Sequence, residues 1–159
     1  MTALPTHIEV LIADDNPINQ TIFSAFFRKC KMNFDIAKDG AEAVQKWKNG
    51  EFDLILMDID MPVMNGIEAT KAIRRLEREH MGQMPVTPTE SSSSSSIHTR
   101  PRAPVIIIAL TTLASQANGV EVLAAGCDDF LPRPVSLPSL TNKIKEWVPR
   151  EDGARIGID

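Results

Sequence analysis

The sequence has no apolar run longer than a few residues, far short of the roughly 20 that cross a bilayer, so no membrane-spanning helix is expected. Residues 1–7 contain no basic segment followed by an apolar core, and no secretory signal is expected there. Cysteine is scarce. Cys30 and Cys127 are the only two, they lie far apart and match no metal-ligand spacing, and they read as buried thiols in a reducing compartment. The expected localisation is cytoplasmic or nuclear. No basic stripe interleaved with aromatics occurs, and the net charge of −4 and pI of about 5.4 oppose nucleic-acid binding. A glycine-rich or hydroxyl-rich phosphate loop is also missing after the first strand-like run. Asp14-Asp15-Asn16-Pro17 stands there instead and would repel a phosphate unless a cation intervened, which argues against a nucleotide- or flavin-binding enzyme.

What is present fits one globular domain: 159 residues, 43% of them hydrophobic. Residues 8–13 form a short β-branched apolar run, expected as a buried strand. Asn16 can cap the helix that follows, and Pro17 suits its first turn because a first-turn amide is unpaired anyway. Ile18, Ile22, Ala25 and Phe26 then mark its apolar face. A second strand near the sheet edge is expected over 34–37, then a short helix opened by Asp39-Gly40, with Val44 and Trp47 on one side and Gly50 closing it. The run at 52–57 is apolar without alternation, as a strand covered on both faces should be. Residues 66–80 read as a helix with Ala69, Ile73 and Leu76 inward and Lys71, Arg74, Arg75, Glu77 and Arg78 outward. A fourth strand over 105–110 ends at Thr111. A helix over about 115–125, a strand over 129–131 and a last helix capped by Ser136 complete the chain, the last with Leu137, Leu140, Ile144 and Trp147 on one face.

Five strand–helix alternations predict an α/β fold with a doubly wound parallel sheet. The domain is expected to span 7–148, followed by a polar tail at 149–159. Residues 81–103 interrupt the pattern with three prolines, six consecutive serines and almost no apolar residues, and are read as a flexible insert between the third helix and fourth strand.

In such sheets, groups at the carboxyl ends of the strands gather round one crevice. Asp14 and Asp15 close the first strand, Asp58 the third and Thr111 the fourth. Three carboxylates brought together repel, so their convergence implies a cation that holds them and a reaction that uses them. Singly, each has a plainer reading: a helix-capping turn for Asp14-Asp15, a β-forming residue for Thr111, a core aromatic for Phe130.

Taken in order, Asp14-Asp15-Asn16, Asp58 with Met61-Pro62-Val63-Met64-Asn65-Gly66, Thr111 and Arg133-Pro134 resemble the receiver domain of two-component response regulators. The resemblance implies a flavodoxin-like sheet in order 2-1-3-4-5. It also implies that Asp58 is a phosphoacceptor fed by a phosphohistidine on a histidine-phosphotransfer protein. Mg²⁺ would be held directly by Asp15 and Asp58, through water by Asp14, and by the Asp60 backbone carbonyl. Thr111 would be the switch hydroxyl and Phe130 the aromatic coupled to it. Two positions depart from the family: Arg133 stands where lysine is usual, in a dipeptide whose bond is typically cis, and Thr112 stands where alanine or glycine is usual. The arginine is expected to weaken the coupling of phosphate to switch, and the bulk of Thr112 to slow hydrolysis. Ala124-Ala125-Gly126-Cys127-Asp128-Asp129-Phe130-Leu131, Pro134-Val135-Ser136-Leu137 and the serine-rich insert resemble the fungal osmostress response regulator, which acts on a MAP kinase kinase kinase. The implied role is signalling rather than enzymatic. The alternatives are a receiver of a hybrid histidine kinase, a pseudo-receiver that binds partners without phosphate, and an aspartyl-phosphate hydrolase, for which Asp60 is the one nearby candidate acid.

Overall fold

The computed structural model describes residues 8–82, 104–111 and 118–148. Five strands, β1 (Glu9–Ala13), β2 (Asn33–Ala37), β3 (Leu54–Asp58), β4 (Ile106–Thr111) and β5 (Asp129–Pro132), alternate with α1 (Pro17–Lys29), α2 (Gly40–Asn49), α3 (Gly66–Gly82), α4 (Asn118–Ala125) and α5 (Leu137–Trp147). All four pairings are parallel, as the alternation predicts, and the order is β2-β1-β3-β4-β5, as the family resemblance implies. No helix among the described residues is long and apolar enough to cross a membrane.

The strand period of two divides the interior between the two faces of the sheet. Val10, Ile12, Leu54, Leu56, Ile108 and Leu110 pack with Phe23 and Phe27 of α1 and Leu140 and Ile144 of α5. Leu11, Ala13, Ile55, Met57, Ile107 and Ala109 face Ala43 of α2, Ala69 and Ile73 of α3 and Val122 of α4. This is why β3 is apolar throughout: every one of its residues is buried.

The helix starts follow local chemistry. The side chains of Asn16, Asp39 and Ser136 accept hydrogen bonds from the amides of Ile18, Glu42 and Ser139, capping α1, α2 and α5. Gly40 backs directly onto the Met64 carbonyl and donates its amide to it, tying the start of α2 to the β3–α3 loop.

The apolar face of α1 differs from the expected one. Phe23 and Phe27 are buried, while Ile18 and Ile22 are 68% and 46% exposed. Both pairs have i,i+4 spacing, so spacing does not choose between them; the two phenylalanines bury the larger area. Phe26 is half-buried and meets Phe27 edge-on, with ring centroids 5.0 Å apart. Trp147, expected on the inner face of α5, lies at the surface, where its indole N–H donates to Asp129 Oδ2 at 2.9 Å.

Arg74 and Glu77, expected to face outward, are largely covered. Arg74 Nε donates to the Gly126 carbonyl at 2.9 Å, and its two amino groups pair with Glu77 at 2.8 Å and Asp128 at 3.0 Å. Glu77 in turn accepts the Val105 amide and Asp128 the Ile107 amide. A charged cluster thus fastens α3 to the start of β4 and to the turn before β5. Of the two thiols, Cys127 is buried and Cys30 half-buried, and both are free.

The core of residues 81–103, the helix start expected at 115–117, Thr112 and the tail at 149–159 lie outside the described residues. Only Met81 and Gly82 of the expected insert are described, as the last two residues of α3.

Candidate functional site

The parallel register brings the carboxyl ends of β1, β3 and β4 level. Ala13 pairs with Met57, and Asp58 with Leu110, so Asp14, Asp58 and Thr111 follow one another across adjacent strand ends. One carboxylate oxygen from each of Asp14, Asp15 and Asp58 lies within 4.8 Å of the others. Asp14 and Asp58 are fully buried and Asp15 is exposed, so the group opens to solvent on one side.

Asp14 is held by dipoles. The Asn16 amide donates to Oδ1 at 2.9 Å, and Asn19 Nδ2 lies 3.5 Å from Oδ1 and 3.2 Å from Oδ2. Gln20 Nε2 donates to the Asp14 backbone carbonyl at 2.7 Å. Asn19 and Gln20 are the site residues that the sequence analysis passed over. The available signal was position: Asn19 lies one helical turn past the Asn16 cap and so faces back toward the strand end. Burial pushes the Asp14 carboxyl above its ordinary value, against the pull of these bonds and of Arg133.

Asp58 is held differently. Its Oδ1 accepts the Asp60 amide at 3.2 Å and lies 3.1 Å from Arg133 Nη2. Its Oδ2, equally buried, has no hydrogen-bond partner, and neither has Arg133 Nε. Burial, with Asp14 beside it, pushes the Asp58 carboxyl up to about 7, although Arg133 and the Asp60 amide pull the other way. Three carboxylates that converge within 4.8 Å, two of them buried, make an all-oxygen donor set that suits a hard divalent cation, and the residues present therefore fit Mg²⁺.

The loop after β3 is tightly built. Pro62-Val63-Met64 forms a γ-turn, with the Met64 amide on the Pro62 carbonyl at 2.6 Å. Val63 has φ 67 and is exposed, a strained conformation for a β-branched residue. Gly66 then passes so close to the Asp58 backbone carbonyl that a Cβ there would collide with it.

The remaining expected residues line the other side. Thr111 is buried, and its hydroxyl donates to the Leu131 carbonyl at 3.5 Å. Its own carbonyl accepts the Arg133 amide at 2.7 Å, which links the end of β4 to the cationic residue. The Arg133–Pro134 bond is cis. Phe130 is half-buried, and its ring lies against Gly119 of α4, where an added Cβ would approach Cζ to 2.9 Å.

This fold and site define a class. The model of the response regulator receiver domain family matches residues 10–95, and the chain belongs to that family. Its relatives include fungal response regulators, among them the oxidative stress response two-component system protein SSK1 of Candida albicans, 46% identical over 150 residues that cover 88% of this chain and 22% of that protein. The chain is 48% identical over 143 residues to the response regulator mcs4 of *Schizosaccharomyces pombe*, a match covering 88% of this chain but 27% of that protein's length. Among solved structures it is similar to the receiver domain of the response regulator Ssk1 of *Saccharomyces cerevisiae*, crystallised with the histidine phosphotransfer protein Ypd1. That match has a TM-score of 0.79 and 41% identity and covers 99% of this chain and 98% of that one. The receiver domain of the sensor histidine kinase PA1611 of *Pseudomonas aeruginosa* matches with a TM-score of 0.67 and 31% identity, over 88% of this chain and 96% of that one. That protein holds a magnesium ion in its active-site cleft.

Proposed function

We propose that this chain is the phosphoacceptor module of a fungal-type stress response regulator, with Asp58 taking a phosphoryl group from a phosphohistidine on a histidine-phosphotransfer protein. The observation that carries this reading is the unpartnered oxygen of a buried carboxylate. Asp58 Oδ1 is occupied by the Asp60 amide and by Arg133, which leaves Oδ2 as the nucleophile. A lone pair of Oδ2 attacks phosphorus, the new P–O bond makes an acyl phosphate, and the P–N bond to the donor breaks. The electron pair of that bond goes to the imidazole nitrogen, which takes a proton from solvent.

Asp14, Asp15, Asp58 and the Asp60 carbonyl would hold Mg²⁺, which supplies the positive charge that lets an anionic carboxylate approach an anionic phosphoryl group. The residues of the chain do the rest. Asn19 and the Asn16 amide fix Asp14, the Asp60 amide orients Asp58, and Gly66 lets α3 start against the back of the phosphoacceptor. Arg133 lies where a cation can meet the phosphoryl oxygens. The chain assists its own phosphorylation and dephosphorylation and carries no further enzymatic role.

The donor must cover the open side of the acid group. Ile18 and Ile22, exposed on the helix that begins at this edge, offer it an apolar contact. Thr111 and Phe130 form the switch, through which the state of Asp58 alters the surface of α4, β5 and α5. A MAP kinase kinase kinase is the proposed reader, in keeping with the stress regulators the chain resembles.

The test is phosphotransfer from a phosphorylated histidine-phosphotransfer protein. Wild type should be labelled in Mg²⁺ and not in excess chelator, and Asp58→Asn should not be labelled. Equal labelling of Asp58→Asn would refute the reading. Absence of labelling in wild type, with partner binding retained, would make the domain a pseudo-receiver.

A further inference from the structure

We infer that Arg133 is a built-in counter-ion that competes with the divalent cation for Asp14 and Asp58, so that this residue sets the metal affinity of the site. The inference rests on the phosphoacceptor reading above and concerns the state before phosphorylation. Its basis is a two-armed contact. Nη2 lies 3.1 Å from Asp58 Oδ1, and Nη1 lies 3.9 Å from Asp14 Oδ2. These are two of the three carboxylates close enough to share a cation. The guanidinium and a metal ion therefore draw on the same acids.

The identity of the side chain matters here. A guanidinium is a planar fork with five donors, whereas an ammonium is a compact point charge. Here the fork spans two carboxylates at once, one amino group paired with Asp58 and the other turned toward Asp14. Among the described residues the acids are the only ion-pair partners of this side chain, and its Nε is buried without an acceptor. It is 20% exposed, so the head can swing toward solvent without breaking a second network.

Asp14 is prepared for that departure. The Asn16 amide and Asn19 stay on its carboxylate whether or not the guanidinium is near, and they keep it aimed at the site. The metal-free pocket is thus partly neutralised from within, and an incoming cation meets a positive charge that must be moved or endured. Removing a unit charge at this range should tighten Mg²⁺ binding by about tenfold.

Calorimetric titration of the unphosphorylated protein with Mg²⁺ tests this without any phosphoryl donor. Arg133→Gln, which has no charge, should bind Mg²⁺ about tenfold more tightly than wild type, with Arg133→Lys between the two. The rise in melting temperature on adding Mg²⁺ should follow the same order, and it also reports whether each variant folds. Equal affinities in all three proteins, weaker binding in Arg133→Gln, or no Mg²⁺ binding in any of them would overturn the inference. Failure of the phosphoacceptor reading shows elsewhere, as labelling of Asp58→Asn, and leaves the order of metal affinities to stand or fall by itself.

Discussion

At the residue scale, the chemistry rests on one carboxylate held in an unfavourable place. The carboxyl of Asp58 is raised from an ordinary 3.8 to about 7 because burial and Asp14 disfavour its charge. The unfolded chain releases this proton first, so between these values the folded state binds more protons. Metal-free stability therefore falls as pH rises through that window, and the loss is complete above about 7. Urea unfolding of the metal-free protein should show wild type losing stability relative to Asp58→Asn between about pH 4 and pH 7, with Mg²⁺ closing the gap. Parallel pH profiles would mean that the acid is not strained in this way. Asn19 gives a second prediction at this scale. Asn19→Leu removes a charge-assisted hydrogen bond from buried Asp14 and should cost about 1.5–3 kcal/mol in urea unfolding. The acids themselves were legible in the sequence because strand ends are easy to locate. Asn19 was not, since its role depends on the direction in which the first turn of α1 faces.

At the scale of elements, helix faces were the weak point of the sequence reading. α1 carries apolar residues on two adjacent stripes, and only the packed sheet decides between them. Phe27→Ala should destabilise by about 3–5 kcal/mol, as expected for a fully buried aromatic. Ile18→Ser should change stability by less than about 0.5 kcal/mol, because Ile18 is exposed, while slowing phosphotransfer if it makes the donor contact proposed above. Equal stability losses in the two variants would restore the face expected from sequence. The Arg74 cluster escaped the reading for a different reason. Arginine and glutamate on a helix normally face solvent, and nothing local shows that the partners Val105, Gly126 and Asp128 arrive from distant segments. Arg74→Ala leaves Glu77 and Asp128 facing backbone amides without their cation and should cost about 3 kcal/mol. Phosphotransfer by the folded fraction should be unchanged.

At the scale of the molecule, the sequence was most informative. Alternation of apolar strands with amphipathic helices implies a parallel sheet, and a parallel sheet gathers its strand ends at one edge. Asp14, Asp15, Asp58, Thr111 and Arg133, spread over 120 positions of the chain, are brought to that edge by topology alone. The order β2-β1-β3-β4-β5 leaves β1 and β3 adjacent, which sets the two acid-bearing strand ends side by side. What topology does not give is the balance of charge inside the pocket, which depends on how far the Arg133 guanidinium reaches. The same exchange of lysine for arginine bears on signalling. If Arg133→Lys changes neither the transfer rate nor the activated conformation, the arginine does not weaken the coupling of phosphate to switch.

The central claim is that Asp58 is the atom-level acceptor, and chemical trapping tests it most directly. After incubation with a phosphorylated histidine-phosphotransfer protein and Mg²⁺, borohydride reduction of the acyl phosphate followed by peptide mass spectrometry should find homoserine in place of Asp58. It should be found nowhere else and not in chelator. Homoserine at another acid, or label that resists borohydride, would contradict the assignment.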